Sequence, residues 1–267
     1  MRRPLALLAV VASLTLSLLL TACGGEGTLV DDSRLAGDGE LAERTITVLA
    51  ASSLTEVFTA LGEEFEAENP GVRVRFAFDS SATLAQQAAQ GAPADVLATA
   101  DAATMQQAVA ADATIGEVTT FARNHLVLAV PADNPAGVMS LGDLDADPSP
   151  TYVICVPTAP CGDLAARALE ADGVTAEPAS LEVDVKAVLA KVVDDEADAG
   201  LVYATDAVAA GEDVTSFEID GAARQETVYP AAVLAEATQP DLARRWIAFL
   251  TARPGRTALT AAGFDQP

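Results

Sequence analysis

The sequence predicts an α/β fold in which each sheet is mainly parallel and flanked by helices. Apolar segments with the two-residue period of strands alternate with segments that have the spacing of amphipathic helices. That alternation is typical of parallel strands joined by helices. The stretch from Thr45 to Pro267 is long enough for one large domain or for two lobes of about 100 residues each.

The individual elements follow from local patterns. Leu54, Val57 and Phe58 begin an apolar stripe at helical spacing, and the turn sequence Asn69-Pro70-Gly71 marks its end. The predicted strands are 45–51, 72–79, 95–99, 126–130, 153–156, 201–203 and 231–234. The predicted helices are 54–65, 83–90, 163–171, 185–193 and 242–250.

Two serine pairs stand where a predicted strand gives way to a helix. Ser52-Ser53 follows the first strand and Ser80-Ser81 follows the second. A serine there can cap the helix, or it can donate its hydroxyl to a guest beside the first helical turn. Because the N–H groups of that turn carry the positive end of the helix dipole, the guest is predicted to be an anion. Further strand–helix junctions, where α/β sheets bind ligands, hold Cys161, Val185 and Tyr203.

The beginning of the chain is predicted to be a targeting segment. Residues 1–22 have a positive start and an apolar stretch from Leu5 to Leu20, which is typical of a secretory signal. The sequence before Cys23 resembles a bacterial lipobox, so Cys23 is predicted to carry a lipid; an ordinary cleaved signal is the alternative. Residues 23–44 are rich in Gly, Asp and Glu and are predicted to form a flexible tether.

The acidic composition excludes some classes of partner. The chain carries 39 acidic and 15 basic residues, which gives a net charge of −24, so nucleic acid is not a predicted ligand. Charges are screened over about 8 Å at physiological salt. A local site made of N–H and hydroxyl groups can therefore bind an anion despite this surface.

The remaining cysteines and the histidine argue against metal and enzyme chemistry. In an oxidising compartment Cys155 and Cys161 can close a small disulfide loop, and two free thiols are the alternative. Zinc is not predicted, because the chain has one histidine, His125, and no second cysteine pair. The chain also lacks the Gly-x-Ser-x-Gly, Walker and His-Glu-x-x-His motifs, so no catalytic residue is predicted.

The chain resembles the periplasmic molybdate-binding proteins of ABC importers over nearly all of residues 46–264. Four stretches carry the resemblance: Ala50-Ala51-Ser52-Ser53-Leu54-Thr55, Ser80-Ser81-Ala82-Thr83-Leu84-Ala85, Gly91-Ala92-Pro93-Ala94-Asp95-Val96 and Leu201-Val202-Tyr203-Ala204-Thr205-Asp206-Ala207. It implies a two-lobed clamshell of the periplasmic-binding-protein type. Residues 45–125 and 227–267 would form lobe 1, and residues 126–226 would form lobe 2.

The resemblance also implies a site between the lobes for molybdate, and for tungstate, which is nearly the same size. The side-chain hydroxyls of Ser53, Ser81 and Tyr203 would donate to the anion. The backbone N–H groups of Cys161 and Val185 would complete the set. Cys161 departs from the small residue, such as alanine, that is usual there, but its expected donor is the backbone.

Molybdate carries no proton at neutral pH and requires donors only, whereas phosphate keeps a proton and requires an acceptor. Asp79, Asp163 and Asp184 are the candidate acceptors, and none is predicted to face the ligand. A carboxylate at Asp79, beside the second serine pair, would repel a dianion unless it points outward. Sugars and amino acids are disfavoured, because 4% of the residues are aromatic and the arginines at 73 and 75 are predicted to face solvent. Sulfate and phosphate remain alternative ligands.

The resemblance implies partners and a location as well. Together with the lipobox-like sequence before Cys23, it predicts a monomer without a cofactor on the outer face of the cytoplasmic membrane, held by the lipid on Cys23. The protein would hand the oxyanion to a membrane permease. A secreted hydrolase or a structural lipoprotein without a ligand is the alternative from another class.

Overall fold

The structure is a computed structural model that describes residues 43–221 and 224–267. The predicted signal segment 1–22, the predicted lipidation site Cys23 and nearly all of the predicted tether lie outside the described residues. None of the helices in these two described ranges combines the length and the apolar character that crossing a bilayer requires.

Nine strands and eight helices follow one another in the described ranges. The strands are β1 (Arg44–Ala51), β2 (Val72–Asp79), β3 (Val96–Ala98), β4 (Thr114–Pro131), β5 (Tyr152–Cys155), β6 (Ser180–Glu182), β7 (Ala199–Tyr203), β8 (Val214–Glu218) and β9 (Glu226–Leu234). The helices are α1 (Thr55–Glu68), α2 (Ser81–Ala89), α3 (Ala102–Ala110), α4 (Pro160–Asp172), α5 (Val185–Val193), α6 (Ala204–Ala210), α7 (Pro240–Thr251) and α8 (Arg253–Ala261). A short 3-10 turn, Ser52–Leu54, precedes α1.

Several elements differ from the sequence prediction. Helices α3, α6 and α8 and strands β6 and β8 were not predicted, and β4 and β9 are longer than the predicted 126–130 and 231–234. Helix α4 begins at Pro160 rather than at Asp163, because proline suits the first turn of a helix, where its missing N–H has no partner to lose. Cys161 therefore lies inside the first turn of α4.

The strands form two connected sheets that share β4. Sheet A has the order β2-β1-β3-β9-β4, and sheet B has the order β4-β7-β5-β6 with β8 also paired to β4. Pairs among the outer strands are parallel, whereas every pair that includes β4 or β9 is antiparallel. Strand β4 changes partners in its middle: residues up to His125 pair with β9, and residues from Leu126 pair with β7.

An aromatic cluster fixes α1 and thus the turn that precedes it. Trp246 of α7 is fully buried and packs edge-on against Phe58 and Phe65 of α1, with ring centroids 5.5 and 5.4 Å apart. Phe58 also lies 5.7 Å from Phe121 of β4. Such aromatic pairs contribute about 0.5–1.5 kcal/mol each beyond the area that they bury. The cluster holds α1 against the sheet and so positions the 3-10 turn at its start.

The start of α4 is fixed by a disulfide and by a glycine. Cys155, the last residue of β5, is bonded to Cys161 in the first turn of α4. A Cβ atom on the next residue, Gly162, would lie 2.0 Å from the carbonyl oxygen of Val156. Only glycine lets the helix approach the end of β5 this closely.

We expect Gly162→Ala to destabilise the protein by more than about 2 kcal/mol, because the backbone must move to admit the methyl group. Urea unfolding followed by circular dichroism measures the change. Gly142→Ala is the matched control, since the nearest atom to its added Cβ lies 3.8 Å away, and we expect it to stay within about 0.5 kcal/mol of the wild type. Equal stability of the two variants would contradict the close approach.

Candidate functional site

A small cavity lies where the first residues of several helices converge between sheets A and B. Its lining residues are Ala51, Ser52, Ser53, Ser80, Ser81, Ala100, Pro160, Cys161, Asp184, Val185 and Tyr203. The cavity has a volume of about 10 Å³. Pockets for drug-sized organic ligands usually measure about 300–1,000 Å³. The cavity therefore suits a small inorganic guest, and all five predicted site residues line it.

Ser81 presents its hydroxyl as a donor. It is the first residue of α2 and is buried. Its Oγ accepts a hydrogen bond from the backbone N–H of Ala100 at 2.9 Å. Because that bond uses the oxygen as an acceptor, the hydroxyl hydrogen remains available to a guest in the cavity.

Ser53 is linked to a tyrosine that the sequence analysis did not single out. Its Oγ lies 2.8 Å from Oη of Tyr229, which is fully buried on β9. The hydroxyl of Tyr229 also accepts a hydrogen bond from Nδ2 of Asn124 at 3.3 Å. Ser53 therefore stands at the end of a buried chain of polar groups.

Tyr203 ends β7 and leads directly into α6. Its hydroxyl is buried and has no hydrogen-bond partner among the residues that the structure describes. Burial, and next the neighbouring Tyr229, raise the pKa of Tyr203 well above its ordinary value, so the phenol keeps its proton. A buried hydroxyl without a partner costs about 1–3 kcal/mol, and an acceptor in the cavity would remove that cost.

The first turns of two helices bring backbone N–H groups to the lining of the cavity. Pro160 has no N–H, so Cys161 carries the first N–H of α4. Val185 is the first residue of α5, and its N–H likewise precedes the intrahelical hydrogen bonds. Both residues line the cavity, and the helix dipoles add positive potential there.

The three aspartates considered as acceptors bond to other parts of the protein. Asp79 Oδ1 accepts the N–H of the following residue, Ser80, at 2.6 Å. Asp163 pairs with Arg167 at 2.7 Å on the surface of α4. Asp184 touches the cavity, but its Oδ1 caps α5 by accepting from Ala187 N–H at 3.0 Å. Asp79 and Asp163 thus do not line the cavity, whereas Asp184 does, with Oδ1 engaged in capping α5.

Comparisons with known proteins show the family to which the chain belongs. The family model for bacterial extracellular solute-binding proteins matches residues 46–265. The chain belongs to that family. It is 43% identical over 248 residues to the molybdate-binding protein ModA of Mycobacterium tuberculosis, and the match covers 93% of each chain. The family consists of binding proteins, not enzymes.

Solved structures of other solute-binding proteins share the fold. The periplasmic molybdate-binding protein of Azotobacter vinelandii superposes with a TM-score of 0.76 at 20% identity, over 83% of this chain and 99% of that one. The sulfate-binding protein SubI of M. tuberculosis superposes with a TM-score of 0.76 at 18% identity, over 84% and 87% of the two chains. The α/β, two-lobed clamshell predicted from the sequence is confirmed.

Sequence reasoning missed a group of charges beside the solute site. Nζ of Lys186, the residue after Val185, lies 2.9 and 2.8 Å from the two carboxylate oxygens of Glu56 on α1. The same Nζ lies 3.0 Å from Oδ1 of Asp206 on α6. Burial alone would lower the pKa of Lys186. The carboxylates of Asp206 and Glu56 together have the larger effect, so the pKa of Lys186 is raised. We call these three residues the charge cluster.

The histidine lies apart from the cavity. His125 is buried near the middle of β4, with Nε2 3.2 Å from Glu218 and Nδ1 3.7 Å from Asp265. It does not line the cavity. Within the described part of the chain, no group of three or more His, Cys, Asp or Glu side chains is arranged to hold a metal ion.

We expect Asp206 to shape the pH dependence of stability. Burial raises the pKa of Asp206 to about 6, although Lys186 opposes the shift. Since this pKa exceeds that of an unfolded aspartate, the protonated carboxyl stabilises the fold. That contribution is fully present below about pH 4 and is lost as the pH rises through about 6. The free energy of unfolding of Asp206→Asn, relative to wild type, should therefore rise by about 1–3 kcal/mol between pH 4 and pH 7.

Urea unfolding of both proteins at half-unit pH steps measures this difference. Other titrating groups are shared by the two proteins and largely cancel. A difference that stays constant from pH 4 to pH 7 would contradict the raised pKa.

Proposed function

We propose that this solute-binding protein captures molybdate, and tungstate with it, for delivery to an ABC permease. One observation carries the proposal: hydroxyl groups and the first residues of two helices, drawn from both sheets, line one small cavity, and Oδ1 of Asp184, the aspartate in that lining, caps α5. An unprotonated tetrahedral dianion needs donors and no acceptor. The 43% identical relative is itself named a molybdate-binding protein, which supports the choice among oxyanions.

The proposed shell consists of the hydroxyls of Ser53, Ser81 and Tyr203 and the N–H groups of Cys161 and Val185. Hydrogen bonds to a charged group contribute about 1.5–3 kcal/mol each. Neutral donors avoid the cost of burying an unpaired lysine or arginine beside the anion. After the cost of association, five such bonds are consistent with a dissociation constant in the micromolar to nanomolar range.

We propose that residues 45–125 and 227–267 form lobe 1, and that residues 126–226 form lobe 2. The change of strand partners between His125 and Leu126 supports that boundary. Ser53 and Ser81 then belong to lobe 1, and the other three donors belong to lobe 2. Closing the lobes would assemble the full shell, and the anion would favour the closed form because only that form offers every contact.

The charge cluster supports this closure. On the proposed boundaries Lys186 belongs to lobe 2 and Glu56 to lobe 1, so their ion pair of 2.8 Å joins the lobes. Asp206 belongs to lobe 2 and holds Lys186 from its own side. The pair would therefore form on closure and break on opening.

The location follows the family, whose members are extracellular. We propose that residues 1–22 are a signal, that Cys23 carries a lipid and that the protein is a monomer on the outer face of the cytoplasmic membrane. The lipobox-like sequence before Cys23 supports the anchor. One curated relative, 23% identical over 258 residues, is named a putative substrate-binding lipoprotein of an ABC transporter in Bacillus subtilis.

Calorimetry on the purified protein with molybdate, tungstate, sulfate and phosphate tests the function. We expect molybdate and tungstate to bind in the micromolar range or tighter and phosphate to bind most weakly. Ser81→Ala and Tyr203→Phe should each weaken molybdate binding by about 10- to 100-fold, the equivalent of one hydrogen bond to a charge. Ser216→Ala, on the exposed face of β8, is the control and should leave the affinity unchanged. The function is falsified if none of the four anions binds, or if phosphate alone does.

Variants of the charge cluster test closure. If the ion pair stabilises the closed form, Glu56→Gln should weaken molybdate binding by about two- to fivefold, since the Glu56 side chain is 54% exposed and such pairs are weak. If charge near the dianion were all that mattered, removing this carboxylate would tighten binding instead. Lys186→Met should weaken binding on either account. Lys191→Met is the matched control, because Lys191 on the same helix pairs with Glu196.

A further inference from the structure

A chain of buried hydrogen bonds lies behind Ser53. It starts at the backbone N–H of His125, which donates to Oδ1 of Asn124 at 2.9 Å. That bond orients the Asn124 amide, so its NH₂ group faces two hydroxyls. Nδ2 donates to Oγ1 of Thr205 at 2.8 Å and to Oη of Tyr229 at 3.3 Å. Both amide hydrogens are therefore used, and the hydroxyl of Tyr229 accepts one of them.

The donor of the next hydrogen bond follows from the need of the Tyr229 hydroxyl for an acceptor. Its hydroxyl is fully buried, and a buried O–H without an acceptor is costly. Oγ of Ser53 lies 2.8 Å away. The other nearby oxygen, that of Tyr203, makes no hydrogen bond within the described residues. The 2.8 Å contact permits either hydroxyl as donor; the need of Tyr229 for an acceptor assigns the donor role to Tyr229 and the acceptor role to Ser53.

A hydroxyl that accepts a hydrogen bond keeps its own hydrogen for a second one, and because Ser53 lines the cavity that hydrogen is available to a guest there. Ser81 has the same arrangement, because it accepts from Ala100 N–H. Both serines are thereby set as donors toward the guest. A guest that brings a proton of its own would need one of them to turn and accept, which would break the bond from behind.

We propose that Tyr229, held by Asn124, is a specificity-determining residue: it fixes Ser53 as a donor and so favours oxyanions without a proton over those with one. Tyr229 does not line the cavity, and it acts through Ser53 as a positioning residue. The inference rests on the proposed function and adds to it the physical basis for rejecting protonated anions.

Tyr229→Phe is the first test, with four anions measured by calorimetry at neutral pH. Molybdate and sulfate carry no proton there, whereas arsenate and phosphate do, and the two sets overlap in size. We expect Tyr229→Phe to weaken molybdate binding by about three- to tenfold, while arsenate binding weakens less or strengthens. The ratio of molybdate to arsenate affinity should fall at least threefold.

Tyr152→Phe is the matched control. The side chain of Tyr152 is likewise buried, its hydroxyl donates to the carbonyl of Ala176, and it does not line the cavity. We expect the same loss of one buried hydroxyl there to leave all four affinities and their ratios unchanged. A change in the ratio with Tyr152→Phe as large as that with Tyr229→Phe would overturn the proposal.

A double-mutant cycle separates positioning from a general structural effect. If Tyr229 acts through Ser53, then Tyr229→Phe should change the molybdate affinity by less than about twofold once Ser53 is alanine. Additive losses, or an equal loss for all four anions in the single variant, would overturn the proposal. If the wild type fails to bind molybdate at all, the proposed function is wrong irrespective of this cycle.

Neutron diffraction on the deuterated wild-type protein covers the case in which Tyr229→Phe does not fold. The deuteron on Oη of Tyr229 should lie on the line to Oγ of Ser53. A deuteron directed at Tyr203, with the deuteron of Ser53 directed at Tyr229, would overturn the proposal.

Discussion

The rest of the structure depends on one constraint: hydrogen-bond donors must be held at fixed positions around one cavity. A protein with a net charge of −24 cannot attract an anion through its overall field, so the site must supply local donors at fixed positions. The aromatic cluster around Trp246 fixes the turn that carries Ser53. The disulfide at Cys161 and the close approach of Gly162 fix the N–H at the start of α4. The core and the covalent link thus both serve the placement of a few polar hydrogens.

The sequence predicted what local patterns can specify. A strand that runs into a helix start is visible in a few residues, so the positions around the cavity could be named without a structure. The missed elements lack such patterns. Helix α3 consists mostly of alanine and glutamine, and α8 is largely polar, so neither shows an apolar stripe. The first part of β4 is exposed on both faces, and its pairing with β9 is irregular at two places.

The residues behind the site were missed for a different reason. Asn124 and Tyr229 are 105 positions apart, and Lys186 and Glu56 are 130 apart. Their contacts arise only when β4 and β9 pair and when α5 packs near α1. Asn124, two residues before the apolar run 126–130, was the one available signal, because a buried amide requires hydrogen-bond partners. Its partners could not be named without the tertiary fold.

The shared strand β4 has a consequence for the order in which the anion is caught. On the proposed boundaries Ser53, Tyr229 and Asn124 belong to lobe 1 and would move as one body. Tyr203 and Thr205 belong to lobe 2. Of the hydrogen bonds behind Ser53, an open molecule would keep the one from Tyr229 to Ser53 and lose the one from Asn124 to Thr205. The incoming anion would then land first on a surface whose hydroxyls are already aligned, and the second lobe would only have to fold over it. The anion would be recognised before the lobes close, and a protonated competitor would dissociate while the site is still open to solvent.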